Sequence, residues 1–147
     1  MVAITVILAA VIAAFVFGMG PPKQAPQASV RATSVESTLD YVKLEHQGGA
    51  DITLSDVKAI VELGTSRITF GAASNNNTNR FTAGDTIYIY TNSTANEIHL
   101  NGVIGTGTDL NAASKSGSVD LTTGGEATIT LIDVPSGQQI AQAKIRT

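Results

Sequence analysis

Residues 1–22, MVAITVILAAVIAAFVFGMGPP, contain no charged side chain and end in two prolines. No other feature constrains the fold as strongly. A helix rises about 1.5 Å per residue, so ~20 residues reach across the ~30 Å hydrocarbon layer of a membrane. Residues 1–20 have that length, which predicts a hydrophobic helix serving as a membrane span or a packed core. Thr5 brings the only polar side chain, and its hydroxyl can bond back to a helix carbonyl. Gly18, Gly20, Pro21 and Pro22 then stop or kink the helix before the first charge, Lys23.

Three uses of such a run compete. A secretory signal needs a basic n-region, and nothing basic precedes Val2, although small residues near Ala25–Ser29 suit a cleavage site. A simple anchor fits the length but leaves the internal pattern unexplained. Ala9 and Ala13 are four apart, as are Ala10 and Ala14, and branched residues fill the space between. Small residues at that spacing let helix backbones approach closely, so the run also suits packing against copies of itself.

The string MVAITVILAAVIAAFVFG, residues 1–18, resembles the N-terminal segment of archaeal type IV pilins, adhesion-type pilins more than the related flagellum subunits. The resemblance implies a helix that sits in the cytoplasmic membrane and then forms the core of an extracellular filament. It implies as partners further copies of the chain, a prepilin peptidase and the pilus assembly machinery. Filament-core packing then falls to Ala3, Ile7, Ala9, Ala10, Val11, Ala13, Ala14, Phe15 and Phe17. Members of the family usually carry a basic leader and a few further residues before this string. Met1 falls inside the expected helix, which implies a processed or truncated form, or a start taken at an internal methionine. With Lys23 and Arg31 after the run and nothing basic before it, the charge rule alone places the head in the cytoplasm. A removed basic leader would reverse that orientation, so no processing site is assigned.

Residues 21–27, PPKQAPQ, hold three of the four prolines and read as a short, stiff joint. Residues 28–147 read as an all-β head, so the fold class is α+β overall: a long N-terminal hydrophobic α-helix, then an immunoglobulin-like β-sandwich. The expected strands are Tyr41–Glu45, Val57–Leu63, Arg67–Phe70, Thr86–Thr91, Glu97–Leu100 and Ala127–Val134, with Gln138–Arg146 closing a final hairpin. The stretch Ser34–Leu39 fits either a first strand or a helical turn. Turn signals stand at Gly48-Gly49, Gly64, Asn75–Asn77, Gly84-Asp85, Asn101-Gly102, Gly117 and Gly124-Gly125. About 120 residues suit one sandwich. Along Thr86–Thr91, Tyr88 and Tyr90 face away from Ile87 and Ile89, which fits a covered central strand or a subunit contact.

The head offers little chemistry. His46 and His99 fall in different expected strands without metal-ligand spacing, and the acidic residues are scattered. Phosphate-loop and nucleophile-elbow patterns are missing, as are cysteine and tryptophan. Net charge is −3 and charged residues make up 14%, against ~25% in average soluble domains, so a nucleic-acid partner is not expected. No cofactor is implied, and the chain reads as a non-enzyme. Asn76-Asn77-Thr78 and Asn92-Ser93-Thr94 match the N-glycosylation pattern, which makes Asn76 and Asn92 expected glycan carriers on a surface glycoprotein. The leading function is a subunit of an extracellular pilus whose head mediates adhesion or cell contact. The runner-up is a monomeric, membrane-anchored surface-binding protein with an immunoglobulin-like domain.

Overall fold

The computed structural model describes residues 1–35, 41–71, 80–92, 95–102, 106–110 and 115–146. One helix, α1 (Val2–Gly18), precedes a series of β-strands. These are β1 (Ala28–Val35), β2 (Tyr41–Gly49), β3 (Ile52–Thr53), β4 (Val57–Leu63), β5 (Ser66–Phe70) and β6 (Arg80–Phe81). Then come β7 (Thr86–Thr91), β8 (Asn96–Leu100), β9 (Thr108–Asp109), β10 (Lys115–Ser118), β11 (Glu126–Asp133) and β12 (Gln139–Arg146).

The pairing is antiparallel throughout. One sheet runs β1-β2-β7-β8-β9, a second runs β10-β5-β4-β11-β12, and β3 pairs with β6. Both large sheets supply one hydrophobic core. Val42, Leu44, Ile87 and Ile89 enter from the first sheet, and Val61, Ile68, Phe70 and Ile129 from the second. The period of two explains the sorting, because alternate residues of each strand project to one face. Along β11, Ala127, Ile129 and Leu131 go inward while Thr128, Thr130 and Ile132 go outward.

The expected strands all appear, and all but one lie within a residue of their predicted limits; the exception, β2, runs on from Glu45 to Gly49. Ten strands in the two large sheets exceed the seven of a constant-type immunoglobulin domain. The first strand lies earlier than Ser34–Leu39, at Ala28–Val35, with Val30 and Ala32 packed on the core; residues 36–39 lie outside the described residues. Gly117 is not in a turn. It sits inside β10 opposite Ile68. The tyrosines divide as the alternation predicts, and β7 is the middle strand of its sheet. Tyr41 of β2 packs against Tyr90 at 5.4 Å and edge-on to Tyr88 at 6.1 Å, so Tyr41 and Tyr90 are both buried on the outer face.

Candidate functional site: the N-terminal helix and its root

α1 buries none of its residues, from Val2 to Gly18. Ile4, Leu8, Val11, Ile12, Phe15 and Phe17 are all exposed, although each is a side chain that ordinarily drives burial. Alanine and leucine favour the helix while the β-branched Val and Ile favour it less, and the hydroxyl of Thr5 donates to the carbonyl of Met1 at 3.2 Å, which satisfies its only polar side chain. The helix ends where Met19 turns extended, its N–H still donating to the Phe15 carbonyl at 3.3 Å.

The polarity of α1 is uniform, but its bulk is not. With 3.6 residues per turn, Ala3, Ala10 and Ala14 share one face with Ile7 and Phe17. Ala9 and Ala13 stand on the adjoining face. Ile4, Leu8, Val11, Ile12 and Phe15 form the opposite side. A helix apolar all round is at home only inside a larger apolar body. At 17 residues, α1 spans about 25 Å. No helix among the described residues is long and apolar enough to cross a membrane.

Below the helix the chain docks on the head. Ala25 is 4% exposed, and its N–H donates to Oε1 of Gln138 at 3.3 Å. The Gln27 amide donates to the Ala25 carbonyl at 3.3 Å, and Ala50 N–H donates to the Gln27 carbonyl at 2.8 Å. Gly49 lies against this segment so closely that a Cβ there would stand 2.5 Å from the Gln27 oxygen. The sequence predicts a turn at Gly48-Gly49, whereas both glycines lie at the end of β2. The adjacent pair of glycines was the available sign of close backbone contact, but it does not say with what. Beside the root, Lys23, Gln24, Pro26, Asp51, Asp56 and Asp133 line an open crevice. Arg80 pairs with Asp51 at 3.7 Å.

The other candidate residues are scattered over the head. His46 is buried at the core side of β2, edge-on to Phe81 at 5.0 Å, with Nε2 3.1 Å from the Ala50 carbonyl. His99 is buried on β8 with Nε2 2.8 Å from Glu97. The two do not converge, and among the described residues no three His, Cys, Asp or Glu side chains are grouped to hold a metal ion. Asn92 follows β7. Its side-chain amide donates to the Tyr90 hydroxyl, and its N–H donates to the Ala95 carbonyl at 2.8 Å. Asn76 lies outside the described residues.

Residues 1–30 match the family model of the archaeal type IV pilin N-terminal segment, from α1 through the joint into β1. The chain is also similar to an uncharacterised protein of Archaeoglobus fulgidus, with 40% identity over 88 residues. That match covers 58% of this chain and 62% of the relative, so the chain spans less than two thirds of that protein's length. The exposed helix and the joint beneath it are thus matched as one unit, and this part of the chain is similar to the N-terminal segment of archaeal type IV pilins.

Proposed function

We propose that this protein is the structural subunit of an extracellular type IV pilus filament, polymerising through α1, with the β-head outward for adhesion or cell contact. The observation that carries this reading is a fully exposed helix, apolar on every side, in a segment matching the pilin family. Ten of its residues are Val, Ile, Leu or Phe. Each contributes ~1.5–3 kcal/mol when fully buried, so the helix needs an apolar host. Neighbouring copies of α1 supply one in a filament, and the lipid bilayer supplies one before assembly. Moving from lipid to filament gains little hydrophobic free energy, because lipid tails are as apolar as leucine. Close approach of backbones along the alanine faces supplies the preference instead.

In this reading the joint sets the stand-off between filament core and head, the head has no catalytic role, and Asn76 and Asn92 carry surface glycans. Negative-stain microscopy of material sheared from producing cells, with peptide mass spectrometry of the same fraction, tests the function. Thin filaments containing a peptide from residues 1–22 are expected. Recovery only in the detergent-soluble membrane fraction would replace this reading with a monomeric anchored protein bearing an immunoglobulin-like head. Bare peptide mass on native material would remove the glycans.

A further inference from the structure

The sequence contains one Asn-Gly pair, Asn101-Gly102, directly after β8. Such a pair is chemically labile. The Gly102 backbone nitrogen, after losing its proton, attacks Cγ of Asn101; a C–N bond forms, the C–Nδ2 bond breaks, and ammonia leaves. Water then opens the cyclic imide to aspartate or isoaspartate. Neither oxidant nor cofactor is required.

The fold requires both residues. Asn101 has φ 54°, a region that asparagine tolerates better than most side chains. Its N–H donates to the Thr86 carbonyl at 2.7 Å, while Thr86 N–H donates to Oδ1 of Asn101 at 2.9 Å. The side-chain oxygen thus stands in for the backbone carbonyl and extends the β7–β8 ladder by one pair. A Cβ on Gly102 would lie 2.7 Å from the Gly107 backbone, so no larger residue fits there.

We infer that Asn101 is a deamidation site held intact by the fold, with Asp85 as its guard. Nδ2 of Asn101 donates to Oδ1 of Asp85 at 3.0 Å, while Oδ2 of Asp85 is fixed by the Thr82 N–H at 3.0 Å and hydroxyl at 2.8 Å. The amide is therefore held at both ends. Its carbonyl is tied to β7 and its leaving nitrogen to a carboxylate that is itself anchored. Attack by Gly102 requires the side chain to swing out of that clamp. This protection keeps the β7–β8 connection chemically intact.

The full chain, kept in detergent micelles at mildly alkaline pH, is incubated folded and in denaturant, and the Asn101 peptide is followed by mass spectrometry. Folded wild type is expected to deamidate at least roughly tenfold more slowly than the denatured chain, equivalent to about 1.4 kcal/mol of barrier. Asp85→Ala, verified as folded by circular dichroism, is expected to fall between them. Equal rates for folded and denatured wild type would overturn the protected site. A folded Asp85→Ala variant as slow as wild type would overturn the guard.

Discussion

The backbone N–H of Ala25 donates to the side chain of Gln138 across 113 residues of sequence. The chain leaving α1 is thereby tied at Ala25 to the residue that precedes the closing strand β12. Gln138→Ala removes the acceptor and leaves the hairpin backbone unchanged. A net hydrogen bond is worth ~0.5–1.5 kcal/mol, so amide exchange at Ala25, and at Ala50 whose N–H bonds the Gln27 carbonyl, should quicken by up to a comparable free energy. Global stability should change little. Unchanged exchange at both amides would show that packing of Ala25 alone holds the joint.

Much of this architecture was legible in the sequence because period-two alternation and β-branched runs mark strands that bury one face. Val57–Leu63 and Thr86–Thr91 were readable in this way. What escaped notice lacks that signal. β1 shows only the small or medium side chains Ala28, Val30 and Ala32 to the core, and the residues between them, Ser29 and Arg31, are polar, so the stretch looks like loop. β10, Lys-Ser-Gly-Ser, is a fully exposed edge whose existence is set by its partner β5. β3 and β6 are two residues each, and Ile52 meets Phe81 only after the chain has folded. The helix was visible in full, since composition alone marks it. The clamp at its root was not, because Gln138 and Gly49 carry no local sign that Ala25 and Gln27 will reach them.

Acid sensitivity is expected to centre on Asp85. The Thr82 backbone N–H, and after it the Asn101 amide, hold its carboxyl below the ordinary value of 3.8. A carboxylate depressed by folding contributes stability above its unfolded pKa and loses it as pH falls through the folded value. Thermal unfolding should therefore be steady from neutral pH to about pH 5 and decline below about pH 4. Glu45, lowered by its hydrogen bond from Lys43, acts in the same direction. Asp85→Asn should flatten the acid limb while lowering the neutral-pH midpoint. A pH profile parallel to wild type would assign the acid limb to other groups.

Phe81 is fully buried, pairs with Ile52 between β6 and β3, and meets the ring of His46 edge-on. Ile52, also fully buried, is the other core side chain of the short β3–β6 ribbon. Phe81→Ala should cost ~3–5 kcal/mol in chemical denaturation, the range for truncating a buried aromatic. Phe81→Leu should recover part of that loss by refilling volume. A cost below about 1 kcal/mol for the alanine variant would mean that this end of the head collapses around the gap.

The alanine faces of α1 carry the sharpest test of assembly. Ala10 and Ala13 stand on adjoining small faces, while Ile12 belongs to the bulky side. Leucine favours helix almost as well as alanine, and it is equally at home in lipid, so Ala10→Leu and Ala13→Leu leave the helix and its insertion intact. Between closely packed helices, however, the added bulk must push backbones apart. Overpacking in a filled core costs typically ~1–3 kcal/mol per site, and in a helical polymer every subunit bears it at each contact. Filament yield in sheared fractions should therefore fall steeply for both variants, while cell-associated protein and the thermal unfolding of the head stay at wild-type levels. Ile12→Leu, which conserves volume, should leave yield nearly unchanged. If Ala10→Leu and Ala13→Leu filaments form at wild-type yield, close packing along the alanine faces does not hold the polymer together. The bulky side of α1, Ile4, Leu8, Val11 and Phe15, would then be the surface to alter next.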